Sequence, residues 1–438
     1  MIVMKFGGTS VGDAKMIRNT ASVVLRMKDR KPVVVVSAVS GITNQLIELA
    51  KSAPEKMAEI YEAIKLRHIG IMKELGTTSG LLDNDLMGLK ACADRIAGEG
   101  LNKETLDEMQ SFGERMSTKI VAFEISRHGL KADAVNSFEI GLLTDENFGN
   151  AEPLEEAYAL LGKHIRAMDS VPVVTGFLGK TRKGEITTLG RGGSDYSAAI
   201  VGAAIDAEEI QIWTDVNGIM STDPKMVASA KTIESISFAE AAELAYFGAK
   251  VLHPKTIKPA MAKNIPVKVL NTFEPENKGT TIAKDPSNGK SIVKAIAYKK
   301  SSTLIIIQST RMLGAYGFLS RLFRVFEKYR KSVDVISTSE VSVSLTIDSD
   351  ENLESILEEL ESIADIKVLE GRTVISIVGE GMKSTPGISA RTFSAIARQK
   401  VNIEMISQGA SEINLTFVVD GSSTETAVKA LHKEFFGE

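Results

Sequence analysis

Only one cysteine, Cys92, occurs in 438 residues, which excludes an intrachain disulfide and any zinc site built on several thiolates. Histidine is nearly as scarce, and the five present are scattered at no spacing that ligates a metal. No apolar run approaches the roughly 20 residues that span a bilayer; the strongest, "VVVVSAV" at 33 to 39, is far shorter. The opening "MIVMKFGG" lacks the layout of a secretory signal, so a cytoplasmic setting is expected. An excess of one charge is missing too: 52 Lys and Arg against 56 Asp and Glu leave a net charge of −4, which suggests neither disorder nor an electrostatic nucleic-acid partner. The Walker loop GxxxxGK[ST], the GxGxxG dinucleotide fingerprint and the HRD and DFG signatures of protein kinases are all absent.

What is present is an ordinary globular composition, 43% hydrophobic and 25% charged. A prior of about 150 residues per domain gives two to four domains. Up to about residue 284, short β-branched runs alternate with helix-compatible segments. "IVMKF", "PVVVVSAV", "ADAV", "VPVVTGF", "EIQIWTD" and "IPVKVLNT" read as largely buried strands of a mostly parallel α/β sheet. In such sheets ligands bind beyond the carboxyl ends of the strands. Those ends carry "KFGGTS" (5 to 10), "SAVSGITNQL" (37 to 46), "GFLG" (176 to 179) and "TDVNGIMSTDPK" (214 to 225), each rich in glycine and hydroxyl residues.

The paired glycines of "KFGGTS", Gly7 and Gly8, would let backbone amides approach phosphate oxygens, with Lys5 adding positive charge. "TLGRGGSDYSAAIVGA" (188 to 203) sets three glycines around Arg191, then Ser194 and Asp195 before an alanine-rich run. That is the pattern of a helix N-terminus, where free N–H groups favour anions; equally, Ser194 and Asp195 could serve only as cap and first-turn acid. "SFGER" places Glu114 and Arg115 at the start of a helical stretch, and Asp215 in "TDVNG" could accept from a ribose or simply begin a turn.

After "FEPENKGTTI" (273 to 282) a polar stretch, "AKDPSNGKS", reads as a linker. Beyond it, "GFLSRLFRVFEKYRKSVDVIS" (317 to 337) aligns without gaps to "GISARTFSAIARQKVNIEMIS" (387 to 407). A spacing of about 70 residues implies two copies of one small domain, each of βαββαβ type. Three domains are expected: 1–284, 295–370 and 371–438.

"KFGGTSVGD", "VVSAVSGITNQL", "SFGER", "GFLG", "TLGRGGSDYSA", "WTDVNGIMSTDP", "YFGAKVLHPKTIKPA" and "NTFEPENKGT" resemble, in order, the signature segments of the aspartate kinases, and the doubled module resembles their tandem ACT domains. The resemblance implies an amino-acid-kinase fold followed by two ferredoxin-like ACT domains. It implies transfer of the γ-phosphoryl group of MgATP to the β-carboxylate of L-aspartate, the first step towards lysine, threonine and methionine. By resemblance, Lys5, Asp195 and Lys250 serve the chemical step. Arg191 holds the substrate α-carboxylate and Glu114 its α-amino group, with Ser37, Thr43, Gly193 and Ser194 around them. Lys5, Gly7, Gly8, Thr214, Asp215, Met220, Lys225 and Lys250 would contact the nucleotide, and Mg2+ would be carried on its phosphates rather than by a metal site of the protein. Two positions depart from the family's habit: Lys225 follows "TDP", where arginine is common, and Met220 stands where an aromatic residue often lies.

The first ACT copy resembles the lysine-sensitive branch, in which Met312, Phe318, Leu319, Ser332, Val333, Asp334, Ser339 and Glu340 would surround the effector. Lysine is expected as effector before threonine, because Asp334 and Glu340 can receive ammonium groups and lysine has two. The second copy has Asn402 and Glu404 at aligned positions and is expected to be structural. A homodimer through the ACT domains, or a dimer of dimers, is implied. The alternatives are a kinase of the same fold acting on glutamate or acetylglutamate, and a non-catalytic amino-acid sensor; a fused homoserine dehydrogenase is not expected, since no Rossmann half follows the second repeat.

Overall fold

A computed structural model describes the chain except residues 78–79, 249–253, 287–290, 315, 410–412 and 438. It forms two compact units: Met1–Ile219, Glu234–Phe238 and Val251–Ser287 make the first, and Met220–Ile233, Ala239–Lys250 and Asn288–Glu438 the second.

In the first unit, β1 (Ile2–Phe6) leads through α1 (Ala14–Arg26) to β2 (Pro32–Val36). Four helices follow, α2 (Ile42–Lys51), α3 (Pro54–Glu74), α4 (Asp83–Glu99) and α5 (Lys103–Arg127), before β3 (Ala132–Val135). Next come α6 (Glu155–Arg166), β4 (Val171–Thr175), a hairpin of β5 (Leu178–Lys180) and β6 (Ile186–Thr188), α7 (Gly193–Ile205), β7 (Ile210–Thr214) and β8 (Ser235–Ser237). Helix α8 (Phe238–Tyr246) falls almost wholly in the second unit, and α9 (Pro254–Ala262), β9 (Val267–Asn271) and β10 (Thr280–Ala283) complete the first. The main sheet has the order β3-β4-β2-β1-β7-β9-β10-β8 and is parallel except where β10 runs against β9.

The β-branched runs became strands because a strand covered on both faces buries every side chain; β1, β2 and β4 are buried throughout. "ADAV" is the exception. It forms the edge strand β3, open to solvent on one side, and its residues are exposed or half-buried rather than buried. The strands absent from the sequence reading, β5, β6, β8 and β10, have only three or four residues each and carry no apolar run that periodicity can detect. Under the sheet, Phe6 stacks on the buried Trp213 with ring centroids 6.0 Å apart. The Trp213 indole donates to Gln211 Oε1 at 3.0 Å, and the Gln211 amide donates to Glu209. Burial opposes ionisation of Glu209, but bonds from Lys268, Gln211 and Arg30 outweigh it and hold its carboxyl below the usual range.

Helix α5 starts with a reciprocal Asn102–Thr105 capping box and carries Asp107 and Glu114 two turns apart, on one face. Asp107, buried, accepts from the Gly149 and Thr188 amides at 2.9 and 2.7 Å and from the Thr188 hydroxyl at 2.9 Å. One carboxylate thereby ties α5 to the end of β6 and to the loop before α6.

The second unit contains β11 (Ala295–Gln308), α10 (Phe318–Lys328), β12 (Ile336–Thr338), β13 (Ser342–Ile347), α11 (Leu353–Glu361), β14 (Asp365–Val378), α12 (Ile388–Arg398), β15 (Met405–Ser407), β16 (Asn414–Asp420) and α13 (Thr424–Phe436). Its antiparallel sheet has the order β12-β13-β11-β14-β16-β15, and α10 and α12 occupy equivalent places in the repeat. The two cores do not follow the expected division at 370. Ile305 and Ile307 of β11 pack with α10 and α11, whereas Val293 and Ile296 pack with β16, α12 and α13. Each long strand serves both cores because β11 and β14 pair along their length. The 1–284 boundary is likewise not contiguous: Met226 and Val227 join the second core, and Ser221 accepts from the Ile296 amide at 2.8 Å. Among the described residues no helix is long and apolar enough to cross a membrane.

Because Asp107→Ala strands the buried amide and hydroxyl of Thr188 and also frees the exposed Gly149 amide, it should destabilise the first unit by about 2–4 kcal/mol. Asp107→Asn, whose side-chain oxygen still accepts, should cost clearly less. Thermal unfolding of the two variants beside wild type checks this; equal losses would mean that volume, not hydrogen bonding, is what Asp107 supplies.

Candidate functional site

Parallel packing brings the carboxyl ends of β2, β1 and β4 together. Ser37, just past β2, donates its amide to Phe6 O at 3.1 Å, and Lys5 lies one residue before the end of β1. Helix α7 points its N-terminus at this edge. Gly192 caps it with φ of 69°, a backbone region costly for any residue with a side chain, which explains part of the glycine cluster. Asp195 sits in the first turn of α7, where the unpaired amides and the helix dipole favour an acid. The Lys5 ammonium lies 2.6 Å from Asp195 Oδ1, both side chains being mostly buried.

These groups frame a cavity of about 230 Å³. Of the expected site residues, Lys5, Ser37, Thr43, Glu114, Gly193, Ser194 and Asp195 line it. Phe177, Gly190 and Gly192 line it as well and were not foreseen individually. The segments holding them, "GFLG" and "GRGG", were visible as strand-end loops; the role of Phe177 was not, because it depends on a φ of 68° and a hydrogen bond donated by its amide to the Ser197 hydroxyl.

Glu114 is 3% exposed. Its Oε1 accepts from the Ala38 amide at 3.1 Å, while Oε2 has no partner among the described residues. Burial pushes its carboxyl up to about 8, against the pull of the hydrogen bond from Ala38. A buried acid with a free oxygen, facing a cavity whose other wall holds an ammonium, is suited to a small molecule that carries charges of both signs.

The remaining expected residues lie elsewhere. Arg191 is exposed, does not line the cavity and has no ion pair among the described residues. Gly7 and Gly8 turn the chain after β1, and an added Cβ at Gly8 would sit 3.0 Å from Ala38 O. Thr214 ends β7 and donates to Asp215 at 3.2 Å, with Asp215 exposed. Met220 and Lys225 belong to the second unit; Lys225 is exposed. Lys250 lies outside the described residues.

In the second unit, Phe318 is the buried first residue of α10, Met312 and Val333 pack against the first core, and Leu319, Ser332, Ser339 and Glu340 are exposed. The side chain of Asp334 is enclosed. It pairs with Lys299 at 2.8 Å and accepts from the Tyr246 hydroxyl at 2.9 Å, while Lys299 also reaches Asp348 at 3.1 Å. At the aligned position of the second copy, Glu404 is held by both arms of Arg372 at 2.9 and 3.1 Å.

Comparison with known proteins agrees with this architecture. The model of the amino acid kinase family matches residues 1–271 and that of an ACT domain residues 375–435. The chain is 41% identical over 455 residues to aspartokinase 1, chloroplastic, of Arabidopsis thaliana, covering 99% of this chain and 80% of that one. Among solved structures, E. coli aspartokinase III in complex with aspartate and ADP (R-state) superposes with a TM-score of 0.87 at 36% identity, covering all of both chains. The same E. coli protein in complex with lysine and aspartate (T-state) gives a TM-score of 0.82 at 36% identity, over 100% of this chain and 99% of that one.

The raised carboxyl of Glu114 fixes the sign of a pH effect. Between the ordinary value of 4.5 and about 8, the folded ligand-free protein holds a proton that the unfolded chain has lost, so stability declines as pH rises through that window. Glu114→Gln, which cannot ionise, should therefore gain in melting temperature relative to wild type from about pH 5 to about pH 8, levelling off above. A difference independent of pH would show that Glu114 ionises normally in the fold.

Proposed function

This chain belongs to the aspartokinase family, and from that premise we propose that it transfers the γ-phosphoryl group of MgATP to the β-carboxylate of L-aspartate, giving 4-phospho-L-aspartate and ADP. The observation that carries the reading is the cavity lined both by the Lys5–Asp195 pair and by Glu114, whose Oε2 has no partner among the described residues. A β-carboxylate oxygen attacks the γ-phosphorus and the bond to the β-phosphate bridging oxygen breaks. No general base is needed, since a carboxylate is already an adequate nucleophile. The protein's task is positioning two anions and neutralising charge on the phosphoryl oxygens.

Lys5 supplies that charge, and Asp195 fixes where its ammonium points. The amides at the start of α7 are suited to the same oxygens. Glu114 receives the substrate ammonium and Arg191, free to swing in from its exposed position, the α-carboxylate; Ser37, Thr43, Gly193 and Ser194 complete the acceptor side. Gly7, Gly8, Thr214, Asp215, Met220, Lys225 and Lys250 are assigned to the nucleotide, with Mg2+ arriving on its phosphates. A substrate ammonium beside Glu114 favours the ionised carboxyl, so binding near neutral pH releases a proton.

The ACT unit is the feedback element. The T-state E. coli structure carrying lysine supports lysine as effector, and Asp334 with its neighbours Met312, Phe318, Leu319, Ser332, Val333, Ser339 and Glu340 is its proposed site. Exposed Leu313, Tyr316, Ile336 and Val341 around the first repeat support self-association as a homodimer or a dimer of dimers. A cytoplasmic setting is proposed, although the Arabidopsis relative is named chloroplastic.

Hydroxylamine trapping of the acyl phosphate, with aspartate, glutamate, acetylglutamate and no acceptor, tests the reaction; aspartate should stand alone. Lys5→Ala should cost on the order of 10² to 10³ in kcat, the loss usual for one preorganised charge donor. Near-normal turnover in a folded variant removes Lys5 from the step.

Feedback is checked by the same assay with lysine, threonine and both. Lysine should inhibit, and Asp334→Ala should lose that inhibition while keeping activity. Inhibition by threonine alone overturns the effector, and no response to either leaves the repeats as an association module.

A further inference from the structure

A second charged cluster adjoins the glycine loop that lines the cavity, built by residues with no assigned part in the reaction. The Lys255 ammonium, carried by α9, approaches four acceptors of the first unit: Glu152 Oε1 at 2.9 Å, Asn150 Oδ1 at 3.0 Å, Leu189 O at 3.3 Å and Ala151 O at 3.4 Å. It also lies 5.0 Å from the centre of the Tyr196 ring, and the Tyr196 hydroxyl donates to the other Glu152 oxygen at 2.6 Å.

Two of these contacts flank the glycine loop and the other three hold the 150–152 segment beside it. Leu189 immediately precedes Gly190, and Tyr196 immediately follows Asp195. Gly190 adopts φ of 79°, and a Cβ there would meet Asn150 Oδ1 at 2.6 Å, so the loop's path is set against the same amide oxygen that Lys255 holds. On the other side, Asp107 grips Thr188 and Gly149. The two ends of the 149–152 segment are thus fixed to the approach of the glycine loop by charges of opposite sign, an anion from α5 and a cation from α9.

We propose that Lys255 is a positioning residue: by holding Leu189 and Asn150 it fixes the glycine loop that carries Arg191, and so sets affinity for the acceptor amino acid rather than for ATP. The proposal rests on the assignment of Arg191, Gly193 and Ser194 to the acceptor side. Lys255 need not touch substrate. Without its ammonium, two backbone carbonyls and an amide oxygen that now converge on one cation would turn to water, and the loop would relax away from Asn150. A shift of about 1 Å in a binding group costs up to 10²-fold.

The test compares Lys255→Met, which keeps most of the stem, with Lys255→Arg, which keeps the charge. Lys255→Met should raise KM for aspartate about tenfold and KM for ATP by less than about twofold, with Lys255→Arg recovering most of the loss. Hydrogen exchange provides a readout independent of turnover. The amides of Ala151, Leu189, Gly193 and Tyr196, bonded to Thr188 O, Phe177 O, Gly190 O and Gly192 O, should exchange faster in Lys255→Met while those of the central strands do not change. Unchanged KM and exchange, or equal rises in both KM values with a lower melting temperature, overturn the proposal. If wild type fails to phosphorylate aspartate, the reaction assignment falls, and exchange alone decides whether Lys255 holds the loop.

Discussion

Lys5 and Asp195 meet at 2.6 Å where the central strand of a parallel sheet and the N-terminus of a buried helix converge, and the rest of the first unit is arranged around that meeting. A mostly buried ion pair is a weak source of stability, since desolvation consumes most of its Coulombic gain. Its position therefore needs another reason. Asp195 is already favoured by the dipole and amides of α7, so it can orient the Lys5 ammonium without being the only charge available to balance it. The result is a cation held in place with positive potential left over, which is what a spreading phosphoryl charge requires.

The other charges follow a consistent division. Glu209 is matched by Arg30 and Lys268, and the buried Asp85 by Arg115 and Lys119 at 3.0 and 2.6 Å. Arg115 adjoins Glu114 in sequence, yet it turns to Asp85 and lies over the Phe112 ring at 4.5 Å. Glu209 and Asp85 have resident cations and Asp107 has three hydrogen-bond donors; Glu114 has one backbone amide. An acid left without a counter-ion in a buried position is destabilising when ionised, and the proposed substrate ammonium would supply the partner that the fold does not.

Much of this was legible in the sequence because it rests on local signals. Strands with β-branched runs, the glycine-to-helix step at Gly192 and the repeat offset of 70 residues all have physical counterparts that depend on few neighbours. What escaped depended on tertiary contacts. The exposure of "ADAV" follows from its edge position, the part played by Phe177 from a backbone twist, and the path of the two ACT cores from β11 pairing with β14. Chain order was a poor guide at one more place. Met220, Lys225 and most of α8 fold with the second unit although they lie between strands of the first, because Met226 and Val227 bury against the second core and the Tyr298 hydroxyl donates to Asp223 at 3.0 Å.

That partition bears on how an effector could act. Helix α8 is anchored to the repeat through Glu240, which accepts from the Glu380 amide at 2.7 Å, through Glu243 with Asn414, and through Tyr246 with Asp334. In both copies of the repeat, the acid at the aligned position is occupied by a cation from a central strand, Lys299 for Asp334 and Arg372 for Glu404. The two pairs differ in how readily they can be broken. Arg372 grips Glu404 through two parallel bonds, a geometry that an incoming ammonium cannot reproduce. Lys299 is a point charge shared between Asp334 and Asp348; Arg372 likewise has a second partner, Asp420 at 3.3 Å, so it is the two-pronged grip on Glu404 that separates the two pairs. An external ammonium would therefore displace the resident cation at lower cost in the first copy than in the second, and the acid it would capture in the first is the one that holds Tyr246 at the end of α8.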